Sequence, residues 1–349
     1  MKYMCENDLI YMRRCLNLAK EGLGYVRSNP LVGCVIVKDN HIIGEGFHHA
    51  FGKPHAEIEA INNVKDKSQI KNSTIYINLE PCSHYGKTPP CSQSIIDVQP
   101  LRLVIADIDP NPLVNNKGKE ILEKAGIKVD VGLCKNEHRH LNRRFYTFYQ
   151  KNRPYIILKW AQTLDGFIAQ KNQQCIKWIS NDASLQLVHK WRTEEMAILV
   201  GAETIRCDNP QLTSRHWYGH NPIRLVVTNS SNLPINSNIF NDQAETTIFY
   251  KNLIKQYPSN IDLVKIENDF LGSLFAYCLE KNIISILVEG GASTLDNFIK
   301  RNLWDEARVI IGSNIFGNGK KAPIIDEYKS FDIFDLEDNK IIHYYNDTY

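Results

Sequence analysis

Four side chains in the first half of the chain could build a reactive centre: His55, Glu57, Cys82 and Cys91. One imidazole and two thiolates suit Zn2+, and three protein ligands leave a fourth tetrahedral position for water. An open position points to catalysis. Glu57, two residues after His55, can stand beside that water without ligating the metal and shuttle protons. The chemistry is then hydrolytic: activated water adds to an amidine carbon, Glu57 carries a proton to the departing amine, and ammonia leaves. Two other readings use the same residues. One is a closed structural site completed by His48, His49 or His84, and the other leaves Cys82 and Cys91 as unligated core thiols. A structural site has no need of a glutamate at this spacing.

The elements around these residues are those that would aim them. His55 starts a helical pattern running to about Val64, Pro81-Cys82 follows the strand-like TIYINLE (74–80), and Cys91 stands just ahead of a helical pattern over 92–98. Ligands near helix N-termini gain from the positive end of the dipole. Upstream, Asn7 can cap a helix with Leu9, Met12, Leu16 and Ala19 at helical spacing, and LVGCVIVK (31–38) with HIIGEGFHH (41–49) reads as a hairpin around Asp39-Asn40. Strands at 102–107 and 128–132 and a helix at 118–126 follow, giving an α/β layered domain. A helix from about Asn136 to Tyr149 ends at the polar run before Pro154, so the domains are expected at 1–149 and 150–349. Beyond it, YIILKWA, AILVGA, IRLVVT, TTIFY, ISILVEGG and ARVIIG alternate with helical patterns such as 183–192 and 271–281, as in a second α/β domain.

Composition agrees with two ordinary globular domains. The 349 residues are 43% hydrophobic and 23% charged, with 41 basic against 39 acidic side chains and a net charge of +2. That gives no general footprint for nucleic acid, though a small charged substrate is allowed. Glu6 and Asp8 stand where a signal peptide needs an apolar run, and no segment reaches the length of a membrane span, so a cytoplasmic setting without membrane association is expected. Nine cysteines there are free thiols or ligands rather than disulfides. His138 and His140 read as solvated helix residues, and the row Arg139, Arg143 and Arg144 as a solvated helix face or a domain contact rather than a phosphate site. Nothing in the sequence fixes a subunit count; a homo-oligomer is compatible.

The general signature of zinc deaminases is HxE followed by PCxxC, but here eight residues, SHYGKTPP, separate the cysteines. With that insert, NLEPCSHYGKTPPC (78–91), SNPLVGCVIVKD (28–39), GKPHAE (52–57) and DPNPLV (109–114) resemble the bifunctional riboflavin-biosynthesis deaminase/reductases of bacteria. PYIILKWAQTLDGFIA (154–169), KWIS (177–180), ILVGAETIRCDNPQLTSR (198–215), PIRLVV (222–227) and ILVEGGASTL (286–295) resemble their reductase half, so the likeness spans nearly the whole chain. It implies a cytidine-deaminase-like three-layer domain followed by a dihydrofolate-reductase-like domain. It also implies zinc and NADPH as cofactors, and small phosphorylated pyrimidines as substrates. A diaminopyrimidinone ribosylamine 5'-phosphate would be deaminated, and its ribosyl group then reduced to ribityl.

Carried over by motif, the cofactor contacts fall on Ala161, Trp178, Thr204, Asp208, Asn229 and the run Gly291, Ala292, Ser293, Thr294, Leu295, Asp296 and Asn297. Substrate contacts fall on Ile176, Arg192, Leu212, Arg215 and Glu289, and on Asn29 in the first domain. Gly290-Gly291 lies between a strand and a helix, where backbone N–H groups can approach a phosphate, although a plain strand-to-helix turn explains the glycines equally well. Arg192 and Arg215 read as phosphate forks. Lys159 and Asp165 either orient substrate or cofactor or serve as a strand-end ion pair and a turn carboxylate. Gln162, Thr228 and a loop one residue longer before Trp178 depart from the family pattern. They motivate a second reading, a deaminase whose reductase-like domain is a non-catalytic scaffold.

Overall fold

The computed structural model describes residues 6–83, 89–112, 114–171, 178–230, 232–252 and 256–347. The chain divides between Asn152 and Arg153 into two compact units.

The first unit runs α1 (Glu6–Lys20), β1 (Gly33–Lys38), β2 (His41–Phe47), α2 (Ala56–Asn63), β3 (Thr74–Leu79), α3 (Cys91–Asp97), β4 (Arg102–Asp107), α4 (Lys117–Lys124), β5 (Lys128–Val131), α5 (Lys135–Leu141) and α6 (Arg143–Lys151). The sheet order is β2-β1-β3-β4-β5, with β1 antiparallel to both neighbours and β3, β4 and β5 parallel. Side chains alternate across a strand, so a strand covered on both faces needs an unbroken apolar run. The central strands have one. Cys34, Ile36, Ile75, Ile77, Leu103 and Ile105 pack with Ala56, Ala60, Ile95 and Leu122 of α2, α3 and α4. Their neighbours Val35, Val37, Tyr76, Val104 and Ala106 face Met12, Cys15 and Leu16 of α1 instead. Leu9 falls off the buried stripe of α1, which is Asp8, Met12, Cys15, Leu16 and Ala19. Asp39 and Asn40 both take positive φ, as a two-residue hairpin turn requires.

The helix expected over 136–149 is two helices. Asn142 breaks it at φ −97, ψ 21, because its side chain accepts from Leu31 N–H at 2.7 Å and donates to the Leu31 carbonyl at 3.0 Å.

The second unit runs β6 (Tyr155–Gln162), β7 (Phe167–Gln170), α7 (Asp182–Glu194), β8 (Ala197–Gly201), α8 (Ala202–Asp208), β9 (Ile223–Ser230), β10 (Thr246–Asn252), β11 (Ile261–Lys265), α9 (Phe270–Glu280), β12 (Ser285–Val288), α10 (Ala292–Lys300), β13 (Glu306–Ile311), β14 (Gly319–Lys321), β15 (Ser330–Leu336) and β16 (Asn339–Tyr345). Its main sheet, β11-β10-β9-β8-β12-β6-β13-β16-β15, is parallel up to β13 and closes with an antiparallel hairpin; β7 and β14 pair separately. Both units are α/β, as expected.

Close approach of α2 to β2 fixes the helix that carries His55 and Glu57. A Cβ at Gly46 would lie 2.5 Å from Ala60 N and 2.6 Å from Glu59 Cβ, so only glycine lets the helix settle there. Gly46→Ala is expected to destabilise the first unit by about 1–3 kcal/mol, read as a lower denaturant midpoint; an unchanged midpoint would contradict this packing.

Candidate active sites

In the first unit the chain brings His55, Cys82 and Cys91 to one point. His55 is the extended N-cap of α2, Glu57 lies in the first turn of that helix, and Cys91 opens α3. His55 Nδ1 stands 3.2 Å from Cys91 Sγ and 3.7 Å from Cys82 Sγ, while Cys91 N–H donates to Cys82 Sγ at 3.3 Å. Tetrahedral Zn–S and Zn–N bonds place such donors about 3.3–3.8 Å apart, so the spacing fits one zinc ion held through Nδ1 and two sulfurs. Among the described residues this is the one His/Cys/Asp/Glu group compact enough for a metal, its ligand atoms all within 4.8 Å of one another.

The charges suit that ion. The bond with Cys91 and the contact with His55 push the Cys82 thiol down to about 4, and its thiolate in turn raises His55 to about 9. Cys91, bonded to that thiolate, is pushed the other way, so without metal one proton stays between the sulfurs. A cation takes the proton's place. Glu57 is only 4% exposed, and burial raises its carboxyl to about 7, a value suited to both taking and giving a proton near neutrality.

A cavity of about 250 Å3 opens on this cluster, lined also by Asn29, His48, Asp109, Asn111, Phe145 and Tyr149. His48 does not join the metal donors. Its Nδ1 donates to the Pro54 carbonyl at 3.0 Å, which leaves Nε2 to accept from Asn29 Nδ2 at 3.0 Å. His49 packs on the Phe47 ring, and His84 lies outside the described residues, so neither His48 nor His49 completes a closed site. The Asn29 loop is held from below through Leu31. Besides Asn142, Asn78 donates to the Leu31 carbonyl at 2.9 Å and accepts from Gly33 N–H at 2.7 Å. Glu80, also buried, accepts from the backbone N–H groups of Asp109, Asn116 and Lys119 and so shapes the opposite wall.

His138 corrects the solvated-face reading of this region. It is fully buried, with Nδ1 against Asn78 at 2.9 Å and Nε2 against Tyr146 Oη at 3.2 Å. Arg139 is tied to Asp107 at 2.6 Å and Arg144 is buried. The spacing of His138, Asn142 and Tyr146 at i, i+4 and i+8 was the available signal, but polar residues on a buried stripe look like an exposed one.

In the second unit the motif residues gather at the C-terminal ends of the parallel strands, where open α/β sheets bind ligands. Ala161 lies near the end of β6, Thr204 in α8 directly after β8, Asn229 near the end of β9, and Gly291 caps α10 just beyond β12. A Cβ at Gly290 would meet Thr204 Oγ1 at 2.9 Å, and one at Gly201 would meet Thr294 Oγ1 at 2.8 Å, so the α8 and α10 starts face each other closely. Ala292, Ser293, Thr294, Leu295, Asp296 and Asn297 form the first turns of α10, with Leu295 in the core. Asp208 ends α8, Trp178 is 62% exposed, and Ile176 lies outside the described residues.

Glu289 anchors a buried charged group at the end of β12. Arg192 grips it through Nε and Nη2 at 2.7 and 2.8 Å, and Lys159 Nζ lies 3.5 Å away. Burial opposes the charge on Glu289, yet Arg192 and Lys159 outweigh it and hold the carboxyl down to about 2. Arg192 Nη1 bonds the Thr213 carbonyl at 2.9 Å, so this arginine is fixed between Glu289 and the loop that carries Leu212 and Arg215. Leu212 buries its side chain at φ +55. Asp165 accepts from Gly317 N–H at 2.7 Å and Thr163 Oγ1 at 2.6 Å and is a turn carboxylate.

Known proteins agree with both halves. Residues 5–107 match the family described as the cytidine and deoxycytidylate deaminase zinc-binding region, and residues 154–349 match the RibD C-terminal domain. The chain belongs to the RibD family. The riboflavin biosynthesis protein RibD of Aquifex aeolicus is 39% identical over 90% of this chain and 89% of its own, and that of Synechocystis is 36% identical over 91% and 87%. A deaminase/reductase crystal structure from Thermotoga maritima superposes with a TM-score of 0.87 at 34% identity, covering 97% of this chain and 99% of its own. The fold class expected from sequence, a deaminase-like unit followed by a RibD reductase unit, is the one found.

Two outcomes follow from the RibD zinc cluster and its support. Cys82→Ser is expected to lower bound zinc in metal analysis while Glu57→Gln leaves it unchanged; equal zinc in all three proteins would remove Cys82 from the ligand set. Burial holds His138 down to about 3, against about 6.5 in an unfolded chain, so its stabilising neutral form is intact above about pH 6.5. As pH falls toward 3, stability should drop by up to about 1.4 kcal/mol per unit, and His138→Asn should flatten that slope in denaturation curves.

Proposed function

We propose that this chain performs two consecutive steps of riboflavin synthesis: zinc-dependent hydrolytic deamination of 2,5-diamino-6-(5-phosphoribosylamino)pyrimidin-4(3H)-one, and NADPH reduction of the deaminated product. The reading rests on one juxtaposition above all, a His/Cys/Cys donor set and a buried glutamate opening into the cavity that Asn29 lines, in a chain whose second half is a RibD reductase domain.

The geometry supports the following roles. His55, Cys82 and Cys91 would hold zinc, which when bound supplies the Lewis acidity that makes water nucleophilic at neutral pH. Glu57 takes a proton from that water and delivers it to the amino group, so water enters and ammonia leaves with no change of oxidation state. Asn29 lends His48 its amide N–H, which frees Oδ1 to accept from the pyrimidine edge. The closed wall set by Glu80 keeps the ring against Glu57.

In the second unit, NADPH when bound would supply the hydride that reduces C1 of the opened ribosyl group, with a solvent proton going to the attached nitrogen to give the ribitylamino chain. Gly291 to Asn297, with Thr204 opposite, would cradle the dinucleotide; Ala161, Asp208, Asn229 and Trp178 are the further contacts. Lys159, Arg192 and Glu289 form a fixed charge cluster beside them, and Leu212 and Arg215 border it. Near-neutral charge goes with small phosphorylated pyrimidines rather than nucleic acid as partners. No helix among the described residues is long and apolar enough to cross a membrane, and a cytoplasmic enzyme fits this chemistry.

Glu57→Gln should lose ammonia release by about a hundredfold or more while still oxidising NADPH when given the deaminated intermediate. Full ammonia release would take Glu57 out of the mechanism. Absence of NADPH oxidation in the unmutated protein would favour the scaffold reading of the second unit.

A further inference from the structure

A run of buried polar groups crosses the first unit, and its direction can be read bond by bond. Gly33 N–H donates to Asn78 Oδ1 at 2.7 Å, and a backbone N–H can only donate, so the Asn78 amide has one orientation. Its Nδ2 therefore donates, to the Leu31 carbonyl at 2.9 Å and to His138 Nδ1 at 2.9 Å. Asn142, which accepts from Leu31 N–H, is oriented the same way and turns its own Nδ2 toward that ring nitrogen at 3.4 Å. Two amide donors at Nδ1 leave the imidazole one tautomer, with its hydrogen on Nε2. That hydrogen goes to Tyr146 Oη at 3.2 Å, and the phenol passes its own hydrogen to Asp107 Oδ2 at 3.1 Å and the Ile108 carbonyl at 3.2 Å. Asn78, His138, Tyr146 and Asp107 are each at most 2% exposed, so no link lies open to bulk water.

The two ends of this chain of bonds lie on different walls of the zinc cavity. Leu31 stands two residues after Asn29 and Ile108 one before Asp109, and both Asn29 and Asp109 line the cavity. Ile108 is also held through its N–H, which donates to Asp107 Oδ1 at 2.9 Å. None of the links is made by His55, Glu57, Cys82 or Cys91. We propose that His138 and Tyr146 are positioning residues of the deaminase, the middle of a one-way hydrogen-bond chain that sets the separation of the Asn29 and Asp109 walls and so the fit of the pyrimidine between them. This deepens the deaminase reading and rests on it. A pair of apolar side chains would fill the same space without tying the two backbone segments to each other. Reversing any link sets two donors or two acceptors face to face, so the chain holds whole or not at all.

Tyr146→Phe removes one oxygen and keeps the ring, and His138→Phe keeps a ring and removes both nitrogens. In each folded variant KM for the diaminopyrimidine should rise by about tenfold, the scale of one buried hydrogen bond left half-made, with kcat within about twofold of the unmutated protein. Zinc content should stay as it was. The double variant should be no worse than either single one, because the same chain is broken once. NADPH oxidation from the deaminated product, followed on the same samples, controls for general damage and should not move. Amide hydrogen exchange, which needs no substrate, should quicken in both 29–33 and 107–109 in either variant, while 56–63 keeps its protection. An unchanged KM would reduce the pair to packing, additive effects would make the two residues independent, and faster exchange at one wall alone would sever the link; each result overturns the proposal. If the unmutated protein releases no ammonia from this substrate, the deaminase reading fails, and the exchange result still decides whether the chain ties the two walls.

Discussion

The first active site depends on two helix starts meeting at one corner of a sheet. His55 caps α2 and Cys91 opens α3, and the Cys91 N–H reaches Cys82 Sγ at 3.3 Å. That bond does two things at once. It satisfies one of the N–H groups that a helix start leaves without an intrahelical partner, and it stabilises a thiolate in a site that needs negative charge to hold a cation. The alternating core of β1, β3 and β4 fixes where α2 and α3 sit, so packing on both faces of the sheet becomes ligand geometry a few ångströms away.

A second layer of support is polar and buried. Asn78, Asn142 and His138 form a chain of hydrogen bonds that ends on the backbone of Leu31, two residues from Asn29. Glu80 fixes the other wall through three backbone N–H groups. Each of these groups would be costly to bury alone, and together they fix two walls of the cavity. The second unit solves a similar problem with charge: Glu289 stays ionised at depth because Arg192 and Lys159 face it.

Much of this was legible in the residues. The donor set, its glutamate, the hairpin turn, the strands of the first sheet and six of the nine strands of the second unit's main sheet follow from residue type and period, and the insert between Cys82 and Cys91 carries the family likeness. What escaped was whatever depends on long-range contact. His138 and Arg144 look like surface residues in sequence because a buried polar stripe and a solvated one have the same letters. Asn142 breaks a helix for the sake of Leu31, a residue 111 positions away. Nothing local announces that Arg192 is bonded to Glu289, 97 positions away. The hairpin β15–β16 was also missed, although SFDIFDL and NKIIHYY alternate around a short polar turn.

The central claim is that two chemically independent sites act in series in one chain, only the first needing metal. The most direct measurement follows ammonia release and NADPH oxidation on one sample before and after zinc is stripped with a chelator, supplying the diaminopyrimidine substrate and, separately, its deaminated product. The account predicts that chelation stops ammonia release, and stops NADPH oxidation from the first substrate, while oxidation from the deaminated product continues at its original rate. Ammonia release that survives complete zinc removal, or reduction of the deaminated product that fails with it, would contradict the account.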